Sequence, residues 1–396
     1  LVLEIRKMLK KLPVILVFID WYKPAYKGGG IISCCDALVE HLKDRYCFKI
    51  ITRNADLGST KQLEGIKSDC WVQRTENVEV FYLSKDKIGV FNMKSLIEST
   101  PHDLLYINGV FSFYFSLLPL IINKWRKLQH LTLVAPMGML CLGALKFKNI
   151  KKTLYLKTAK LLNLYSDISW HLSSEYEKND LEKVLGSEGE FYVAPYLFNP
   201  PQTEYKTAKK ENNLLRMVFI SRISPKKNLL ACFRYLSQVD LNVKVIFDVY
   251  GPVEDESYWN ECLNQMNKLG KNIQCSYRGE LKAEEVIKTF QSYNVSILPT
   301  FSENFGQVIP ESLLAACPVI ISDQTPWNKL EEHSAGWVFS LKEENRFVDI
   351  ICTLAKMTNE QFKVYSEGAY QYAKGFLDSE QLVLESVRMF DAKLNQ

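Results

Sequence analysis

Apolar residues along this chain fall into short continuous runs, separated by longer stretches with helical spacing. Pro13–Ile19 (PVILVFI) contains no polar residue, the mark of a strand covered on both faces. Ile31–Leu42 follows with apolar residues at helical intervals and predicts a helix. Further strands are expected at Cys47–Thr52, Val78–Leu83, Leu104–Ile107, Thr132–Ala135 and Phe191–Ala194, with helices at Ile150–Tyr165 and Glu175–Leu185. Val110–Ile122, an apolar stretch too short to span a bilayer, reads as a loop leading into a buried helix. Around Phe198–Asn213 the pattern lapses into polar, proline-containing sequence without periodicity, as in an interdomain linker. It then restarts. Strands are expected at Met217–Ser221, Val243–Tyr250, Ile273–Tyr277, Val295–Pro299 and Val319–Ser322. Helices are expected at Leu229–Leu236, Asn260–Lys268, Glu284–Tyr293 and Val308–Ala316. Strand–helix alternation of this kind builds parallel sheets with helices on both faces. The chain is thus expected to be α/β, with two doubly wound, Rossmann-like domains facing a cleft and their chemistry in loops at the carboxyl ends of strands.

Composition narrows the picture. Hydrophobic residues make up 47% and charged residues 24%, ordinary for a globular protein, so neither disorder nor a membrane bundle is implied. The net charge of +4 is too small to argue for nucleic acid. It is unevenly placed: residues 1–200 carry 27 Lys+Arg against 20 Asp+Glu (+7), and the remainder 22 against 25 (−3). A basic first half suits an anionic partner or a membrane surface, and equally a solvated face. Ten cysteines without a C-x-x-C pair, several in apolar runs, read as reduced core cysteines of a cytosolic protein. Five scattered histidines offer no metal-ligand cluster. The basic start, Leu1–Leu12, is too short and interrupted for a secretory signal.

Three loops carry candidate chemistry. In Leu298–Glu311 (LPTFSENFGQVIPE) a strand gives way to a polar loop with Glu303, Asn304, Phe305 and Gly306, and a helix begins near Gln307. Such a helix start offers N–H groups to an anion, and the glycine allows close approach. Glu303 and Glu311 are each able to accept two hydroxyl hydrogen bonds, as sugar recognition requires. Acidic residues at a helix start also simply favour its dipole. In Ser221–Asn228 (SRISPKKN), Arg222, Lys226 and Lys227 follow the first strand of the second half, where cations suit a diphosphate leaving group. An ordinary basic loop is the plainer reading. In Asp20–Ile32 (DWYKPAYKGGGII), three glycines precede a helix and permit close approach to phosphate, without a dinucleotide or Walker A signature.

Together these segments resemble the family 4 retaining glycosyltransferases of the GT-B fold, over nearly the whole chain and most strongly in its second half. Glu303 and Glu311 match that family's paired glutamates, and Arg222 and Lys227 its paired Arg and Lys. Gly29 and Gly30 resemble its glycine loop, and Arg278, in YRG, the strand end that holds the nucleotide base. Val319–Trp327 resembles the segment after the paired glutamates. Ala135–Leu145 and Trp170–Glu177 resemble the acceptor-side segments. The resemblance implies a retaining, metal-independent transfer of sugar from a nucleotide diphosphate sugar to a glycan or lipid-linked acceptor in capsule, exopolysaccharide or lipopolysaccharide synthesis. No cofactor is implied, since the nucleotide sugar is a substrate. Arg222 and Lys227 would grip the diphosphate and Glu311 the ribose. Glu303, with Asn304 to Gln307, would hold the sugar, Glu303 being the catalytic candidate. Gly29 and Gly30 would close on the phosphates from the other domain.

The implied domains are 1–198, a linker at 199–213 and a donor domain at 214–377, with a last helix in 378–396 packing back on the first domain. Two positions depart from the family pattern. Asn108 stands where many members have His, and Met137 where close relatives often have Arg. With His171 they are the acceptor-side candidates, though a single His at a strand end also serves structure. The departures leave room for a catalytically idle nucleotide-sugar binder. A lysine-rich segment, Lys146–Lys160, lies beside Leu154, Leu156, Leu161 and Leu162 and fits either anionic lipid or a solvated core helix, so a cytoplasmic protein peripheral to the inner face of a membrane is expected.

Overall fold

The computed structural model describes residues 12–145, 149–186, 189–199, 203–377 and 380–395. Leu1–Leu12 lies, apart from Leu12, outside them, as do residues 146–148 of the lysine-rich segment. The chain divides into two compact units. One holds the residues up to Asn199 together with those from Glu380 onward, and the other holds those between.

Unit 1 is built on eight strands: β1 (Val14–Phe18), β2 (Cys47–Arg53), β3 (Trp71–Thr75), β4 (Val78–Leu83), β5 (Leu104–Asn108), β6 (Thr132–Ala135), β7 (Ser169–Leu172) and β8 (Glu190–Val193). Their order is β3-β4-β2-β1-β5-β6-β7-β8, all parallel except β3 against β4. β1 is buried as its apolar run requires, and Leu16 and Phe18 join Ile107, Val134 and Trp170 in one core. The main helices are α1 (Gly30–Leu42), α2 (Val90–Ser99), α3 (Leu118–Trp125), α4 (Asn149–Leu161) and α5 (Glu175–Leu185). Two strands lack an apolar run. β3 (WVQRT) is a partly exposed edge, and β7 (SWHL) buries polar residues that find partners: Ser169 Oγ donates to Glu190 Oε2 at 2.8 Å.

Unit 2 has β9 (Leu214–Ile220), β10 (Lys244–Tyr250), β11 (Ile273–Tyr277), β12 (Val295–Leu298), β13 (Val319–Ser322) and β14 (Gly336–Phe339), all parallel, in the order β11-β10-β9-β12-β13-β14. Its helices are α6 (Leu229–Leu236), α7 (Glu256–Met266), α8 (Ala283–Phe290), α9 (Val308–Leu314), α10 (Glu344–Lys356) and α11 (Asn359–Leu377). The polar residues ahead of β9 lie against this unit. Lys210 is buried, and its ammonium donates to Ala355 O at 2.8 Å.

The last helix, α12 (Glu380–Leu394), belongs to unit 1. Tyr46 Oη donates to Asp391 Oδ1 at 2.7 Å, and Phe390 packs on the rings of Tyr46 and Tyr106 at 5.4 and 5.5 Å. Each sheet reverses its strand order once, between β1 and β5 and between β9 and β12. Those reversals open crevices at the strands' carboxyl ends, where ligands of such sheets bind.

Candidate functional site

In unit 2 the loops after β9 and β12 flank the reversal. Lys227 ends a short turn on β9's loop, and Glu303 lies in the loop after β12. The Lys227 ammonium donates to Glu303 Oε1, with the two residues only 8% and 6% exposed. Backbone bonds hold the loops together: Phe301 N donates to Lys226 O at 2.9 Å, and Asn228 Nδ2 to Pro299 O at 2.9 Å. Burial pulls the Glu303 carboxyl up, but the cations of Lys227 and Lys226 outweigh it and hold the group below its ordinary range. Burial lowers Lys227 despite its partner, and Lys226 and Arg222 lower it further. The result is a charged pair inside a cationic loop.

Gly306 fits tightly beside this pair. Its φ of +71° is left-handed, and a Cβ there would stand 3.0 Å from Ile309 Cδ1 and 3.4 Å from Glu303 Cγ. Phe305 is pinned by Trp327, whose indole N–H donates to Phe305 O at 2.5 Å. Glu311 is half-buried on α9 and accepts from Gln307 Nε2 at 3.1 Å; burial pushes its carboxyl up to about 8.

Arg222 is more exposed and pairs with Glu254. Its loop packs on Gly251, where a Cβ would lie 1.9 Å from Ser221 O. Arg278 follows β11, its Nε donating to Asp248 Oδ1 at 2.9 Å. Tyr293 Oη donates to the other oxygen of that carboxylate at 2.7 Å. Asp248 was missed as a support for this arginine. Its signal is a lone carboxylate inside the apolar strand KVIFDVY.

In unit 1 the candidates fall on neighbouring strands β1, β5, β6 and β7. Gly29 (φ +65°) precedes α1, which Gly30 begins, and open space surrounds its Cβ position. The loop before it is held by residues that the motif reading did not single out. Asp56 accepts from the N–H groups of Tyr26 and Lys27 at 3.1 Å, and Asp36 takes the Lys23 ammonium at 2.5 Å. Asp20 accepts from Arg53 Nη2 and Ser112 Oγ, each at 2.9 Å, and so ties the loops after β1 and β5 to the end of β2.

Asn108 is buried at the end of β5, and its Nδ2 has no hydrogen-bond partner among the described residues. Met137 follows β6 with φ +54°, its N–H donating to Tyr196 Oη at 3.2 Å. Glu177 braces that turn by accepting from Gly138 N at 2.6 Å. His171 is buried with both ring nitrogens engaged, to Tyr106 Oη at 2.7 Å and Ala194 O at 2.9 Å. Burial lowers it to about 4, so it is neutral. It sits inside the core rather than on an open face.

Residues 202–371 match the family model of glycosyl transferases group 1. No curated protein matches the chain. Among solved structures, Anabaena HepE in complex with UDP and glucose is similar at 18% identity and a TM-score of 0.69, covering 97% of this chain and 100% of that one. Sucrose-phosphate synthase from Thermosynechococcus elongatus is similar at 14% identity and a TM-score of 0.68, over 96% and 99%. WaaG, a glycosyltransferase involved in lipopolysaccharide biosynthesis, is similar at 12% identity and a TM-score of 0.62, over 95% and 99%. At these identities the likeness concerns the fold, which is GT-B: two Rossmann-like units with parallel sheets. No helix among the described residues is long and apolar enough to cross a membrane.

Proposed function

We propose that this chain is a retaining glycosyltransferase that moves a sugar from a nucleotide diphosphate sugar, with uridine as the base, to a glycan or lipid-linked acceptor. The observation that carries the reading is the buried Lys227–Glu303 pair at the strand reversal of unit 2, inside the segment matching the group 1 family model. Support for uridine is that HepE, the GT-B neighbour described above, was solved with UDP and with UDP-glucose. In this reading Arg222 and Lys227 meet the diphosphate and steady the charge it gains as the glycosidic bond breaks. Lys227 then shares its ammonium between Glu303 and phosphate, while Glu303 turns its second oxygen to the sugar. Asn304, Phe305, Gly306 and Gln307 form the wall of the sugar site, Glu311 takes the ribose hydroxyls, and Arg278 borders the base. Gly29 and Gly30 are the phosphate-contact candidates of unit 1, and Asn108 and Met137 its acceptor-side candidates. His171 acts through Tyr106 as a structural residue.

We propose further that the reaction needs neither a metal nor a cofactor, since two cations already answer the diphosphate. The protein would work at the cytoplasmic face of a membrane, in polysaccharide synthesis. The test is a titration with UDP and UDP-sugars in EDTA, read by calorimetry. UDP binding that weakens at least about tenfold in Arg222→Ala is expected from the loss of a charge-assisted contact. Proton NMR of the first product would then show the donor's anomeric configuration kept. A wild-type chain that binds no nucleotide, or a product of inverted configuration, overturns the reading.

A further inference from the structure

We propose that unit 1 docks on an anionic lipid bilayer through the surface formed where α3 and α4 end side by side. The two ends are joined directly: Lys124 Nζ donates to the carbonyl oxygens of Leu162 and Asn163, each at 2.7 Å, and so caps α4 with the last turn of α3. Around this junction stand large apolar side chains with nothing over them. Trp125 is 71% exposed and Leu161 85%, with Leu162 beside it. Leu154 lies two turns back on the same face of α4 and is 66% exposed. Leu156, which the sequence pattern groups with them, packs instead against the core. Interspersed are Lys127, Lys157 and Lys160, all exposed and free of ion pairs among the described residues.

Basic residues predominate in this stretch: from Leu104 through Ser166 the chain carries nine Lys or Arg and no Asp or Glu, with Asp167 just beyond it and Glu98 and Asp103 beside Arg126 as the nearby acids. Exposed leucines alone mean little on a soluble surface. Tryptophan, leucine and unpaired lysine on one face fit the boundary between lipid headgroups and acyl chains, where the ring and leucines bury and the ammonium groups meet phosphate. Charge also argues against a second copy of the chain, which would bring like lysines face to face. Both helices return antiparallel to the strands that precede them, so their ends lie at the amino edge of the sheet. A bilayer there leaves the carboxyl-end loops at Asp20–Gly30 and Asn108 uncovered. The docking surface is thus separate from the donor-site reading and does not rest on it.

The full chain would be sedimented with sucrose-loaded vesicles of phosphatidylcholine alone, or of phosphatidylcholine with phosphatidylglycerol, at low and high salt. Wild type should partition at least about tenfold more strongly into the anionic vesicles, and salt should weaken this. Lys157→Glu/Lys160→Glu should lose about tenfold or more, and Trp125→Ala/Leu161→Ser a similar amount. All four side chains are exposed, so both double variants should keep the wild-type melting temperature and UDP binding. Equal partition into both vesicle types overturns the proposal, as do double variants that fold and still bind like wild type. A dimer that Trp125→Ala/Leu161→Ser abolishes, without vesicle binding by wild type, would assign the surface to a second copy instead.

Discussion

Lys227 and Glu303 neutralise each other where neither reaches much water, and that fixes how each responds to substitution. Lys227→Ala leaves a buried carboxylate without its cation, a change that costs about 3–5 kcal/mol. Lys227→Met/Glu303→Gln removes both charges and should cost less, although neither variant should bind UDP. Urea unfolding of the single and double variants, beside nucleotide titrations, separates lost stability from lost contact. Glu311 presents the opposite case. Its carboxyl sits at about 8 in the folded chain against an ordinary value near 4.3. The folded state therefore holds the extra proton, and stability should fall as pH rises between those values. Glu311→Gln should raise the melting temperature by roughly 3 °C at pH 8.5 and change it little at pH 4. At this scale the paired glutamates and the basic loop could be singled out only by their joint placement at strand ends and the family resemblance, since each alone reads as an ordinary helix start or basic loop. Asp56 and Glu177 were not, because a carboxylate that accepts backbone N–H groups looks in sequence like any other acidic loop residue.

Gly251 shows how one element holds another. It ends the loop-facing side of β10, and any Cβ there meets the carbonyl of Ser221, the residue before Arg222. Gly251→Ala should push the loop after β9 away. We expect a loss of about 2–4 kcal/mol in stability from clash and left-handed backbone together, with UDP affinity falling at least about tenfold. Denaturant unfolding and calorimetry on the purified variant would show both; a variant with wild-type UDP affinity would mean the loop is held by other contacts. Strands such as β1 and β9 could be read from sequence because burial on both faces demands continuous apolar residues. β3, β7 and β14 could not. An edge strand keeps one face polar, Ser169 and His171 trade apolar character for specific hydrogen bonds, and β14 is short and begins with glycine.

The two units can be perturbed separately. α12 supplies Val387, Met389 and Phe390 to the core of unit 1, each buried. Removing residues 380–396 takes away apolar burial worth roughly 5 kcal/mol or more. Differential scanning calorimetry should show unit 1 unfolding at a lower temperature, while UDP still raises the transition of unit 2. The alternation of strands and helices made two α/β units legible, because the pattern stops and restarts. The polar stretch between them was legible only as a break. That residues after 203 lie against unit 2 depends on Lys210 and its distant carbonyl partner, a pairing that no local pattern announces.

Because the chain leaves unit 1 after Asn199 and returns at Glu380, unit 2 is an insertion within unit 1. During synthesis the whole of unit 2 is made before α12. At about 5–20 residues per second, unit 1 waits roughly ten to forty seconds with Tyr46 and Tyr106 missing their cover. The second unit in the chain is therefore the first to be synthesised in full. Limited proteolysis of ribosome-stalled chains in which residues 1–379 are followed by a linker long enough to clear the exit tunnel should find unit 2 protected and unit 1 still cleaved.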